Sequence, residues 1–309
     1  MPEIRFYGAT GSIPAPLQQG ELNEILESFW KHCKKNDFQN PEEAIDNFGD
    51  GRIITGNSSC VQIEYDMAPL IVCDAGTGIR KLGKEMVGKI VRNKEIYLFM
   101  SHTHWDHVIG FPFFAPLYDS NYNVNIMGCH KNLEKRFEHM LSDTHFPVQL
   151  SDMTANIKFI QLEEGKSYSL NNVKVTPIKL DHPGDSYAYK FNNGMKSIIY
   201  STDSNYSCFD NNPEHSKGLN DCTVLIFDGM FNFKEHVEKV HYGHSTPFIG
   251  VDLAAKHNIK KLVLFHHNPD YSQGQIYQLL EDAKEYKDKH YKENDLSIHL
   301  AIEGDRIIF

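Results

Sequence analysis

Short apolar runs, separated by polar turns, recur along the chain, and their length predicts strands rather than helices. EIRFY (3–7), CVQIEY (60–65), PLIVC (69–73) and IYLFM (96–100) fall in the first third. VKVTPIK (173–179), SYAYKF (186–191), SIIYS (197–201), TVLIF (223–227), KLVLF (261–265) and LSIHLA (296–301) follow. They are rich in β-branched and aromatic residues, which suit a pleated, half-buried surface.

Helical periodicity appears between these runs. Leu22, Ile25, Leu26, Phe29, Trp30 and Cys33 recur at i, i+3, i+4, i+7, i+8 and i+11, so 21–35 is expected to be a helix with one apolar face. Asn40-Pro41-Glu42-Glu43 reads as an N-cap, a proline at the first helical position and a capping-box glutamate. Ser245-Thr246-Pro247 opens another helix, with Ile249, Leu253 and Ala254 inward, and a helix over about 273–290 precedes the last strand run. Mixed strands followed by a helix–strand alternation suggest sheets covered by helices. The segment at about 17–52 is more polar and more helical than its surroundings and reads as an insertion: a surface decoration or dimer contact ahead of a lid. The rest of 1–309 is expected to form one domain.

Composition narrows the class. No apolar run is long enough to span a bilayer, and the first residues lack the basic head and apolar body of a signal peptide, so a cytoplasmic location is expected. The six cysteines (33, 60, 73, 129, 208, 222) form no C-x-x-C pair, so free thiols are expected rather than a cysteine zinc site. A net charge of −10 works against long nucleic acids, whose binding rests on phosphate neutralisation, but not against a small anion held by local cations.

The densest chemistry is FMSHTHWDH at 99–107, straight after a strand run. His102 and His104, two apart on extended chain, point to one side, and a turn after them lets Asp106 and His107 face the same cavity. Imidazole nitrogens and a carboxylate suit zinc and similar divalent ions. Two ions need more ligands than this run has, so the rest must lie at other strand ends. His182 after VTPIKLD, Asp203 after SIIYST and His266 after KLVLF are placed for it. His267 is the alternative to His266, which is preferred because LVLFH repeats the frame of LFMSH.

On these residues the sequence resembles the metallo-β-lactamase superfamily, whose signature is H-x-H-x-D-H followed by a His, an Asp and a His at later strand ends. Asp74 in IVCDAGTGIR resembles the superfamily's first motif. Gly243-His244-Ser245-Thr246 and Asp228 in LIFDGMF resemble the branch containing tRNase Z and cyclic phosphodiesterases. The resemblance implies an αββα four-layer sandwich, two mixed sheets flanked by helices, with a dinuclear site at one edge. It implies that His102, His104 and His182 bind one ion and Asp106, His107 and His266 the second, with Asp203 bridging. Asp74 would orient a ligand from behind, His244 would be the proton donor with Asp228 as its partner, and Asp106 counts with the catalytic groups. Ser245, Thr246 and His267 would support ligands or substrate. The cofactors implied are two divalent ions, zinc first, with manganese or ferrous iron as alternatives.

The activity implied is hydrolysis of a phosphodiester by metal-activated water. The tRNase Z enzymes carry an inserted arm between the positions matching His182 and Asp203, and here only DHPGDSYAYKFNNGMKSIIYSTD spans them. A small anionic substrate, a cyclic nucleotide or cyclic phosphate ester, is therefore expected, with no membrane partner and a homodimer in prospect. Phe111, Phe113, Phe114 and Tyr118 are either core or the wall of a base pocket. The alternatives are a tRNA 3′-processing endonuclease, a thioester, lactone or β-lactam hydrolase on the same metal centre, and a metal-binding scaffold without activity.

Overall fold

Every apolar run above forms a strand in the computed structural model, which describes residues 2–48, 54, 56–87, 94–207 and 216–309. The first sheet holds β1 (Glu3–Gly8), β2 (Cys60–Glu64), β3 (Leu70–Cys73), β4 (Glu95–Phe99), β5 (Asn123–Gly128) and β6 (Asn156–Gln161), with the last strand, β14 (Arg306–Ile308), on its β1 edge. The second holds β7 (Tyr168–Leu170), β8 (Val173–Leu180), β9 (Ser186–Asn192), β10 (Ser197–Ser201), β11 (Val224–Asp228), β12 (Lys261–Phe265) and β13 (Ser297–Leu300) in sequence order. Both sheets are mixed. Strands β3 to β6 run parallel, as do β10 to β13, while β1–β2–β3 and β7 to β10 pair antiparallel.

Three apolar layers glue four structural layers together. Between the sheets, Val61, Ile63 and Phe99 meet Tyr189, Phe191, Tyr200 and Phe265. Outside the first sheet, helices α3 (Ile79–Met86) and α5 (Leu133–Met140) pack Ile79, Leu82 and Phe137 with Val72, Leu98 and Ile126. Outside the second, after the short α6 (Phe233–Glu238), α7 (Pro247–Lys256) and α8 (Gln273–His290) bring Val251, Ala254, Ile276 and Leu280 against Leu225, Phe227 and Leu262. Parallel strands buried on both faces must read as continuous apolar runs, which is why LIVC, VLIF and LVLF stood out. The αββα sandwich expected from the sequence is the observed architecture.

The insertion lies between β1 and β2 and contributes α1 (Gln19–Lys35) and α2 (Pro41–Asp46); residues 49–53 and 55 are outside the described part. Asn40 caps α2 by accepting from the Glu43 amide, as its sequence predicted. The expected apolar face of α1 is present but not covered: none of its residues is buried, and Leu26 and Trp30 are 54% and 61% exposed. The helix touches its own segment instead, through Phe29 and His32 against Phe48. Among the described residues no helix is long and apolar enough to cross a membrane. Cys33, Cys60, Cys73, Cys129 and Cys222 are free thiols, and Cys208 lies outside the described residues.

Topology fixes where chemistry can collect. The carboxyl ends of β3 and β4 lie side by side in one sheet, as do those of β10, β11 and β12 in the other. The chain leaves β8 at the same end, because β8 and β10 are both antiparallel to β9. Two hydrogen bonds stitch the sheets together there: the Tyr187 amide donates to Ser101 O (3.0 Å) and the Tyr189 hydroxyl to Met100 O (2.6 Å).

Candidate metal centre

Each chemically active side chain follows the end of a strand. Beyond β4 the chain stays extended through His102 and His104, then winds into one helical turn, α4 (Trp105–Val108), with His104 as its N-cap. That switch from extended to helical backbone sends Asp106 and His107 inward beside the two histidines. Asp74 after β3, Asp203 after β10 and His266 after β12 all take left-handed backbone angles, with φ of +60°, +56° and +61°. Such conformations cost a non-glycine residue on the order of 1 kcal/mol each, and they concentrate here because a strand's own geometry would not aim these side chains at one point.

The groups form three clusters of possible ligand atoms; two of them flank Asp203, and the third joins Asp228, His244 and His266. Ligand atoms of His102, His104 and His182 converge in one of the first two, and those of Asp106, His107, Asp203 and His266 in the other. Asp203 Oδ1 lies 3.7 Å from His102 Nε2 and 3.8 Å from His182 Nε2. Its Oδ2 lies 3.2 Å from His107 Nε2 and 3.3 Å from His266 Nε2. Asp106 Oδ2 stands 3.1 Å from both of those nitrogens. The Nε2 atoms of His102 and His107 are buried and have no hydrogen-bond partner. Burying an imidazole nitrogen unpaired is costly, and a divalent cation facing it removes the cost, so the donor set fits such ions.

The electrostatics point the same way. Burial lowers the His102 pKa well below its ordinary value, with nearby His107 adding to the shift. Burial also lowers those of His104 and His182, which keeps them in the neutral form a metal requires. Burial opposes charge on His107 too, but Asp106, Asp203 and Asp74 overcome it and raise its pKa well above the ordinary value. Burial would likewise raise Asp203, yet His266, His107 and His102 hold it well below the carboxylate range. The clustered carboxylates thus attract positive charge to the place where the neutral nitrogens converge.

Behind these groups sits a set of supports. Asp74 accepts four hydrogen bonds: from the Ser101 amide (2.8 Å), the Ser101 hydroxyl (2.6 Å), the Tyr200 hydroxyl (2.7 Å) and His107 Nδ1 (2.7 Å). It is fully buried and belongs to none of the three clusters of ligand atoms. The Ser12 amide donates to Asp106 Oδ2 (2.8 Å), and the Thr202 hydroxyl to Asp203 Oδ2 (2.7 Å). His182 Nδ1 donates to Gly243 O (3.0 Å), leaving Nε2 for the cluster. None of Ser101, Tyr200, Ser12 or Thr202 was singled out from sequence. Ser101, Tyr200 and Thr202 lie inside the quoted motifs without chemistry that marks them, Ser12 lies outside every motif, and Tyr200 reaches Asp74 from the opposite sheet.

His244 lies in the third cluster, with Asp228 and His266. Its Nδ1 donates to Asp228 Oδ2 (2.8 Å) and is 3.9 Å from Asp203 Oδ1. Asp228 also accepts from the amides of Asp203 (3.1 Å) and Met230 (3.1 Å), so one carboxylate ties β10, β11 and the His244 loop together. Burial would lower the His244 pKa, but the charge and hydrogen bond of Asp228, helped by Asp203 and Asp106, raise it to about 9. Thr246 is committed to helix α7, whose Ile249 amide it caps, while the Ser245 hydroxyl is buried without a partner.

The structure bears on two alternatives that the sequence left open, and for the last ligand it favours the preferred one. His267, the alternative last ligand, donates Nε2 to Ala301 O (2.8 Å) and joins no cluster; burial lowers its pKa to about 4. The histidine after β12 that faces the carboxylates is His266. The aromatic group at 111–118 is divided: Phe111 and Phe114 are fully buried core, while Phe113, edge-on against Phe146, and Tyr118, whose hydroxyl donates to Pro112 O, are exposed.

Comparison with known proteins agrees with this geometry. Residues 70–267 match the Beta-lactamase superfamily domain, and the chain belongs to that family. It is 26% identical over 273 residues to a Ribonuclease Z of Picrophilus torridus, covering 72% of this chain and 84% of the relative. The metallo-beta-lactamase fold protein YhfI from Bacillus subtilis has a similar structure, with a TM-score of 0.67 at 16% identity over 100% of both chains. A diphosphatase of the PhnP family aligns with a TM-score of 0.64 at 17% identity, over 100% of this chain and 98% of the other.

Proposed function

We propose that the protein hydrolyses a small phosphodiester, a cyclic nucleotide or cyclic phosphate ester, at a centre holding two divalent ions. The wider class, a metal-dependent hydrolase of phosphodiester bonds, rests on the family, the Ribonuclease Z relative and the His/Asp clusters. One observation carries the two-ion reading: the oxygens of Asp203 face different sets of histidines. His102, His104 and His182 would hold one ion, Asp106, His107 and His266 the other, with Asp203 shared. Zinc is the first choice for this donor set, and manganese or ferrous iron fit it too. Bound ions of this kind acidify a water towards a pKa of about 7 and offset the negative charge that builds on phosphorus.

The chain's own groups supply the rest. His244 has Nδ1 tied to Asp228, so Nε2 is the edge left to give a proton to the departing alkoxide. Asp228 fixes the ring's orientation and favours its charged form. Asp74 holds the His107 ring through Nδ1 and so directs Nε2 to the cluster. Substrate size follows from what lies between His182 and Asp203, which is the β9–β10 hairpin and no more. The net charge of −10 also disfavours a long polyanion.

The test is a substrate screen on protein loaded with zinc or manganese: bis(p-nitrophenyl) phosphate, 2′,3′- and 3′,5′-cyclic nucleotides, a thioester and a β-lactam. Turnover of the phosphodiesters alone is expected. Inactivity on all of them with both metals bound would contradict the reading. A second reading, cleavage of a tRNA 3′ extension, is favoured by the name of the 26% identical relative. Cutting of a precursor tRNA faster than any cyclic nucleotide would establish it instead.

A further inference from the structure

Three large, largely exposed side chains each lie next in the chain to a residue that belongs to the centre or holds it. Trp105 stands between His104 and Asp106, which belong to different clusters, and is 80% exposed. Ile13 follows Ser12, whose amide holds Asp106, and is 60% exposed. Tyr242 precedes Gly243, whose carbonyl holds His182, and is 55% exposed. Each of the three is thus within one residue of an atom that touches the centre. Trp105 is also fixed in place. The His107 amide bonds to His104 O and the Ile109 amide to Trp105 O, so the turn carrying the indole cannot shift without moving ligands.

Leaving an indole in water forgoes the burial energy of the largest apolar side chain, and this chain does so on the turn between two candidate ligands, His104 and Asp106. We propose that Trp105 is a specificity-determining residue: a stacking platform for the nucleobase of a nucleotide whose phosphodiester lies at the metal clusters. The proposal rests on the phosphodiesterase reading and adds the substrate class. A planar base suits an open indole face, which offers a flat surface and no groove for a flexible chain. Stacking is indifferent to base identity, so purine and pyrimidine nucleotides would both be accepted.

The experiment compares the parent protein with Trp105→Ala and Trp105→Phe, on a 2′,3′-cyclic nucleotide and on the base-free ribose 2,3-cyclic phosphate. Trp105→Ala is expected to raise KM for the nucleotide by about 5- to 150-fold, with kcat and the base-free substrate little changed. Trp105→Phe is expected to recover most of the loss. Equal damage on the base-free substrate would mean that Trp105 only braces the turn, and no change on either would mean that it is idle; both overturn the proposal. A binding readout is independent of turnover. The chain has two tryptophans, so Trp30→Phe leaves Trp105 as the sole indole reporter. Saturable quenching by a nucleoside monophosphate, much weaker with ribose 5-phosphate, is expected. Equal quenching by both, or none by either, would overturn the platform even if the protein turns over phosphodiesters. Base-selective quenching in a protein without such turnover would separate the two readings.

Discussion

His244 shows how far single residues determine the chemistry. Its ring is 2.8 Å from Asp228, and it groups with Asp228 and His266 rather than with the His102–His104–His182 set or the set that contains Asp203. A proton donor in that place can be removed without removing a ligand of either proposed ion. His244→Ala is expected to keep its full metal content and to lose about 10²- to 10⁴-fold in kcat, measured beside elemental analysis of the same sample. Loss of metal with turnover would instead make His244 a structural support. Asp74 is the opposite case: four donors converge on it, so its influence passes entirely through the groups it holds. Residue identity made the ligands legible, because histidines and aspartates after apolar runs are chemically conspicuous. It could not reveal Tyr200, an ordinary core tyrosine until the two sheets stack and bring its hydroxyl to Asp74.

At the scale of elements, legibility followed burial pattern. Runs buried on both faces were read correctly. NVNIMG at β5 was not, because Asn125 interrupts the apolar pattern, although it is buried and reaches Ile96 O. β6, at the sheet edge, has no fully buried position and gave no run to read. The helix expected at about 273–290 spans Gln273–His290, and Ser272 and Gln275 form a reciprocal capping box at its start. Helix α1 was found by its periodicity, but periodicity says only that an apolar face exists, not that this chain covers it. α8 offers a test away from the centre. Ser272→Ala removes the cap and is expected to cost about 1 kcal/mol of unfolding free energy. The urea midpoint at fixed metal concentration measures it, and turnover of the folded protein should not change.

Across the whole molecule, the sandwich works as an aligning device. Two sheets, each with parallel strands ending at the same edge, gather ligands from segments far apart in sequence, and the hydrogen bonds between Tyr187, Tyr189 and the 100–101 turn lock the halves in register. Sequence order therefore pointed to the side chains that converge at this edge, whereas the supports behind them depend on how segments from both sheets meet. The central claim is that one carboxylate joins two cation sites. A crystal of zinc-loaded protein, with anomalous scattering recorded on both sides of the zinc edge, tests it most directly. The account predicts two peaks, one among His102, His104 and His182 and one among Asp106, His107 and His266, each in contact with a different oxygen of Asp203. A single peak, or two peaks of which only one touches Asp203, would contradict it.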